Sequence, residues 1–263
     1  MIRRTVKAVL VDLSGTLHVE DLLLPGAVEG IRRLKQHAVK LLYVTNTSKE
    51  SKRSLLLRLN KIGFQVTADE VFSSLSAARQ VVESRKLRPL SLLQKEALED
   101  FEGICVDNPN AVLVGLAPQS FSYDRLNEAF RLLMNGCPLV AVHKARYYKR
   151  SDGLALGPGP FIEALEYASG VKADVIGKPE QSFFKAALNV LGVKAEETAM
   201  IGDDVRDDVL AAMNLGVMGI LVKTGKYRDE DEELLPADSH CHVAETFSVA
   251  VDILESYMDT GGT

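Results

Sequence analysis

The sequence predicts an α/β fold organised on a parallel sheet. Residues Ala8-Val9-Leu10-Val11 form an apolar, β-rich run that stops at a carboxylate, Asp12. Such a run, apolar throughout rather than alternating, suits a strand covered on both faces. Strand-like and helix-like segments then alternate along the chain, which is the pattern of βαβ units. Polar or charged residues recur just after the strand-like runs, at Asp12, Thr45, Lys178 and Asp203. In open α/β sheets ligands bind beyond the carboxyl ends of the strands, so these four are expected to share one sheet edge and one site.

The elements follow in order. Pro25-Gly26 opens a helix whose apolar face is Ala27, Val28, Ile31 and Leu34. Val39 to Val44 reads as a second buried strand, ending in Thr45-Asn46-Thr47-Ser48, with Ser48 the expected cap of the next helix. That helix carries Leu55, Leu56, Leu59 and Ile62 and stops at Gly63. A second block starts near Ser74: a helix at 77–84, strands at 89–93 and 111–116, a helix at 123–134 and a strand at 139–143. The Gly- and Pro-rich stretch KARYYKRSDGLALGPGP reads as irregular. After it come a helix at 161–168, a short strand at 173–176 ending in Gly177-Lys178-Pro179, and a helix at 182–191. A strand at 198–201 ends in Gly202-Asp203-Asp204, a helix spans 209–215, and a strand at 217–222 ends in Thr224-Gly225-Lys226. A last helix covers about 247–258, and the residues 260–263 read as a frayed tail.

Composition narrows the class. The chain has 263 residues, long for one domain and suited to one large domain or a core with an insert. Its formal net charge of -5 gives no basic footprint for nucleic acid. No apolar run approaches membrane-spanning length, and the first apolar run is too short for a signal peptide. The three cysteines are scattered without a CxxC pair, which fits a reducing, cytoplasmic setting. Cys241 stands between His240 and His242, but that spacing does not converge on a metal in a regular element, and a solvated loop is expected there. The acidic run 229–233 is expected to be a solvated loop too.

Asp12 alone reads equally as a nucleophile, a metal ligand or the cap of a turn. With its companions it suits phosphoryl chemistry. Asp12 and Asp203 offer hard oxygen ligands to Mg²⁺. Asp12 would attack phosphorus and form an aspartyl-phosphate. Lys178 and Thr45 would hold the non-bridging oxygens as charge shifts. No GxxxxGK[ST] stretch is present, which disfavours a P-loop hydrolase.

The four stretches together resemble the haloacid dehalogenase-like superfamily, which is mostly phosphatases. Asp12-Leu13-Ser14-Gly15-Thr16 resembles its first motif, Thr45-Asn46 the second, Gly177-Lys178-Pro179 the third, and Gly202-Asp203-Asp204 with Asp208 the fourth. The resemblance implies a Rossmann-like parallel-sheet core with the nucleophile at Asp12. Its metal would be Mg²⁺, held by Asp12, the Ser14 carbonyl and Asp203, with Asp204 and Asp208 supporting these ligands. Substrate would meet Thr45, Asn46, Thr47, Lys49 and Lys178. The insert between the second and third motifs resembles the large α/β cap of one phosphatase subgroup. The implied division is core at 1–77, cap at 78–172 and core again at 173–259. Caps of that subgroup often mediate dimers, so a homodimer is among the implied assemblies. The implied substrate is a small phosphorylated molecule: a phosphate ester, pyrophosphate or a P–N bond.

One position departs from the family pattern. Its phosphatases carry a second Asp two residues after the nucleophile, as general acid and base, and here that residue is Ser14. Losing a general acid costs roughly 10²–10⁴-fold in rate. The expectation is an enzyme that takes leaving groups needing little protonation. The alternatives are a proton from elsewhere, His18 being nearest though expected on an exposed loop, or a catalytically weak phosphate-binding or scaffolding protein. The metal-free dehalogenases also lack that acid, but as a family they lack the Gly-Asp-Asp found at 202–204. A receiver module phosphorylated on Asp12 would need no insert. The segment from Lys144 to Arg150 reads either as a clamp for an anionic substrate, through Lys144, Arg146, Lys149 or Arg150 with Tyr147 or Tyr148 packing on it, or as a basic solvated surface.

Overall fold

The computed structural model describes residues 5–150, 152–237 and 240–258, so the expected tail at 260–263 lies outside the described residues. Among the described residues the main sheet has six strands in the order Cys241–Ala244, Met218–Val222, Thr198–Gly202, Ala8–Val11, Lys40–Thr45 and Val71–Ser73. From Lys40–Thr45 across to Cys241–Ala244 the strands run parallel. The central strand Ala8–Val11 is wholly buried, as its unbroken apolar run requires. Val11 stands beside Ile201 on one side and Tyr43 on the other, so Asp12, Asp203 and Thr45 leave the sheet at one edge. Helices Ala27–Gln36 and Phe247–Glu255 pack against each other where Gly30 admits Phe247. A Cβ at Gly30 would stand 2.8 Å from that ring.

The second sheet is parallel and four-stranded among the described residues, in the order Ala173–Val175, Leu139–Ala141, Ala111–Val114 and Pro89–Leu92. Its core joins Leu92, Val112, Val114 and Leu139 to Ala129 and Leu133 of helix Tyr123–Met134 and Ile162 and Leu165 of helix Gly159–Ser169. Ser122 caps the first of these helices by accepting from Arg125 N–H.

The chain forms two compact units. One holds the described residues of Met1–Thr45, Arg58–Phe72 and Gln181–Thr263, and the other Asn46–Leu57 and those of Ser73–Glu180. The expected insert at 78–172 falls inside the second unit.

Four local expectations are corrected. The strand at 173–175 pairs with Leu139–Ala141 in the second sheet, so Lys178 does not follow a strand of the main sheet. Three residues carry too little pattern to assign a sheet. The expected irregular stretch contains an antiparallel hairpin, Tyr147–Arg150 with Gly153–Leu156, in which Gly153 supplies the positive φ. The expected helix at 209–215 begins earlier, as a π-type turn over Val205–Leu210 in which Val209 N–H reaches Asp204 C=O at 3.3 Å. The expected loop around Cys241 is instead the edge strand Cys241–Ala244, and His242 Nε2 lies 3.2 Å from the Tyr257 hydroxyl.

Candidate active site

Asp12 is placed by the central strand. Its N–H donates to Ile201 C=O at 2.9 Å, which fixes the carboxylate at the sheet edge with only 5% exposure. The chain then closes into a tight loop. Leu17 and His18 N–H both donate to Leu13 C=O, and Gly15 N–H donates to His18 C=O. Gly15 takes φ +98°, open to glycine at little cost. The Thr16 hydroxyl donates to Asp12 Oδ2 at 3.2 Å. Ser14 is exposed at the head of the loop. His18, expected on an exposed loop, is instead buried, because the loop folds it back beside Ser14 and into the short hairpin with Leu22–Leu23.

Asp203 and Asp208 are each 1% exposed, and one carboxylate oxygen from each of Asp12, Asp203 and Asp208 lies within 4.8 Å of the others. Backbone walls this group in. A Cβ at Gly15 or Gly225 would fall 1.9 or 2.0 Å from Asp203 Oδ2, and one at Gly202 would fall 2.4 Å from Asp208 Cβ. Asp204 turns elsewhere. Its Oδ1 accepts from Arg206 and Asp207 N–H, capping the following turn, and its Oδ2 accepts from the Lys226 ammonium at 3.1 Å. Lys226 N–H donates to Asp203 Oδ2 at 2.7 Å, and Thr224 Oγ1 donates to Gly15 C=O at 2.6 Å.

The charges follow from this packing. Burial, and then the charge of Asp12, push the Asp203 carboxyl up to about 7. Burial also works to raise Asp204, but the Lys226 ammonium and the two capping N–H groups outweigh it and hold the carboxylate below its usual range. Burial opposes the charge on Lys226, yet the surrounding carboxylates raise it above the ordinary lysine value. Three buried carboxylates on one point, beside a cation already committed to a fourth, fit a hard divalent ion with oxygen ligands. Asp208, expected behind the metal ligands, belongs to that converging group, and Asp204 stands outside it.

Thr45 is buried at the end of its strand in the first unit. Asn46, the next residue, belongs with Lys178 in the second unit. The Asn46 amide donates to Lys178 C=O at 2.8 Å and accepts from Lys178 N–H at 3.0 Å. Gly177 is what lets them meet, since a Cβ there would stand 2.4 Å from Asn46 Oδ1. Lys178 is only 3% exposed. Thr47 is half-buried. Lys49 is exposed, with its ammonium 4.1 Å above the Tyr148 ring. Ser48 does not cap the following helix. Its hydroxyl pairs with His143 Nε2 and accepts from Leu116 N–H, both at 2.9 Å, and Ser51 accepts from Ser54 N–H instead. In the basic segment Lys144 is paired with Glu163 and Glu166, and Arg150 with Asp152. Arg146 is exposed, and the Lys149 side chain lies outside the described residues.

Sequence reasoning missed Thr16 and the Thr224–Lys226 loop as parts of the site. The second was visible as a polar stretch after an apolar strand, the same signal that marked Asp12 and Asp203.

Comparison with known proteins identifies the family. A haloacid dehalogenase-like hydrolase family model matches residues 9–104, and a HAD-hydrolase-like model matches 175–250. The chain is 58% identical to haloacid dehalogenase-like hydrolase domain-containing protein 2 of Bos taurus over 95% of this chain and 96% of that one. It is 38% identical to phospholysine phosphohistidine inorganic pyrophosphate phosphatase of Homo sapiens, over 97% and 96% of the two chains. Among solved structures, 4-nitrophenylphosphatase of Thermotoga maritima superposes with a TM-score of 0.86 at 27% identity, covering 95% of this chain and 97% of that one. The p-nitrophenyl phosphatase of Archaeoglobus fulgidus gives 0.86 at 26% identity, covering 95% and 100%. With its Rossmann-like parallel-sheet core and inserted α/β domain, the chain belongs to the haloacid dehalogenase-like hydrolases and is a phosphatase of that family.

Proposed function

We propose that this phosphatase is Mg²⁺-dependent and works through an aspartyl-phosphate on Asp12. The observation that supports this most directly is the buried group of Asp12, Asp203 and Asp208. Asp12, Asp203 and the Ser14 carbonyl would hold Mg²⁺, with Asp208 completing their buried group and Asp204 held apart by Lys226. The ion, when bound, neutralises phosphate charge so that an anionic carboxylate reaches phosphorus. A carboxylate oxygen of Asp12 attacks, the bond from phosphorus to the leaving group breaks, and water then cleaves the acyl phosphate and restores Asp12. Thr16 orients the attacking carboxylate through Oδ2. Thr45, Asn46, Thr47, Lys49 and Lys178 take the substrate-binding role, with Lys178 placed by its Asn46 pairing. The insert at 78–172 serves as the cap that selects substrate.

Ser14 sets the substrate class. With no carboxylic acid at that position, turnover favours leaving groups that depart without a proton from it: aryl phosphates, pyrophosphate and phosphoamidates. The names of two similar proteins, a phospholysine phosphohistidine inorganic pyrophosphate phosphatase and a 4-nitrophenylphosphatase, support that direction. The partner is thus a small phosphorylated molecule. Three scattered cysteines without a CxxC pair suit a cytoplasmic location, and no described helix is long and apolar enough to cross a membrane.

The test is phosphate release with Mg²⁺ from aryl phosphate, pyrophosphate and phosphoamidate, comparing wild type with Asp12→Asn. Metal-dependent turnover that falls by about 10³-fold or more in the variant is expected. Ser14 also favours a second reading, a weak phosphate-binding or scaffolding protein. Equal background rates in both proteins, with the fold intact, would select it.

A further inference from the structure

The Thr224–Lys226 loop reaches the loop that carries Asp12, the buried Asp203 and its neighbour Asp204. Thr224 Oγ1 donates to Gly15 C=O at 2.6 Å, in the loop that carries Asp12. Lys226 N–H donates to Asp203 Oδ2 at 2.7 Å. The Lys226 ammonium meets Asp204 Oδ2 at 3.1 Å, with both side chains largely buried, 26% and 21% exposed. The glycine between them allows the approach, because a Cβ at Gly225 would stand 2.5 Å from Gly15 Cα. Asp204 is adjacent in sequence to a member of the converging carboxylate group, yet it is not a member itself. Its two oxygens are committed, one to the N–H groups of Arg206 and Asp207 and one to Lys226.

We propose that Lys226 is a positioning residue that holds Asp204 away from the metal-binding carboxylates and keeps that site small. The proposal rests on the Mg²⁺ reading above and adds a reason for ion selectivity. Mg²⁺ binds through one or two carboxylates and retains water in a strict octahedron, whereas Ca²⁺ takes six to eight oxygens in loose geometry. A fourth carboxylate turned inward therefore favours Ca²⁺ more than Mg²⁺. Lys226 blocks that turn by charge pairing and its peptide N–H pins Asp203 at the same time. Removing the ammonium leaves the peptide contact in place, so the two effects separate.

The experiment measures Mg²⁺ and Ca²⁺ dissociation constants by titration calorimetry, at pH 8, for wild type, Lys226→Met, Lys226→Arg and the double variant Lys226→Met with Asp204→Asn. Lys226→Met is expected to shift the Ca²⁺-to-Mg²⁺ affinity ratio toward Ca²⁺ by about tenfold or more. Lys226→Arg is expected to keep the wild-type ratio within about twofold, and the double variant to return to it, because the added ligand is gone. A merely structural lysine would not give that pattern. Lys226→Gln replaces Lys226→Met should the latter not fold. A wild-type ratio in the charge-free variant overturns the proposal while leaving Mg²⁺ dependence intact. A wild-type protein that binds neither ion overturns both.

Discussion

Asp203 shows how one residue links the site to the stability of the chain. Its carboxyl titrates near 7 in the fold, because burial and then Asp12 oppose its charge, against about 3.8 when the chain is unfolded. Between those values the folded chain keeps a proton that the unfolded chain releases. Stability of the metal-free protein therefore falls as pH rises from about 4 to about 7, and above that the full penalty is present. Asparagine has no such cost. Asp203→Asn without metal is expected to unfold at higher urea than wild type at pH 7.5, and the gap is expected to narrow at pH 4.5. Equal midpoints at both pH values would contradict this account. Asp204 carries the opposite sign, being held low by Lys226, so the comparison between variants is what isolates Asp203.

At the scale of elements, the Asn46 amide fixes one strand end. It follows Lys40–Thr45 directly and clasps the peptide groups of Lys178, just beyond Ala173–Val175. Asn46→Ala removes both hydrogen bonds and is expected to cost about 1–3 kcal/mol of stability. It is also expected to raise KM for an aryl phosphate several-fold by loosening Lys178, and an unchanged KM would show that the clasp does not serve binding. These strands also show what was legible in the sequence. Ala8–Val11, Lys40–Thr45, Thr198–Gly202 and Met218–Val222 are apolar runs ended by polar residues, and their pattern gave both the sheet and three of its site residues, Asp12, Thr45 and Asp203. Ala173–Val175 carries no such pattern, since its partner sheet is chosen by distant contacts with Leu139–Ala141. The burial of His18 was illegible for a similar reason: a backbone loop, not a periodicity, carries it inward.

For the whole molecule, the chemistry turns on what the chain lacks. Around Asp12 it gathers carboxylates and one lysine, and two residues on from Asp12 it places a serine, which is no acid at neutral pH. An exposed Ser14 leaves room for a larger side chain. Ser14→Asp is expected to raise kcat/KM for an alkyl phosphate by about 10–100-fold while changing that for an aryl phosphate little, because only the poor leaving group needs the proton. A parallel rise on both substrates would mean that the serine does not set substrate class. The two units divide the named positions, with Asp12, Thr45 and Asp203 in one and Asn46, Lys49 and Lys178 in the other. Composition and motifs gave that catalogue of residues, but the division followed from contacts that no local pattern encodes.

The glycines at 15, 202 and 225 give the molecule a particular evolutionary profile. Each is held small by a carboxylate rather than by a turn alone, with a Cβ landing 1.9, 2.4 or 2.0 Å from an Asp203 or Asp208 atom. A side chain at any of these three positions would force the facing acid out of its present pose, so each glycine is tied to the acid it faces. The exposed Leu154 and Leu156 of the hairpin carry no such tie. New specificities are therefore expected to arise in lineages that vary the hairpin and leave this mutual constraint untouched.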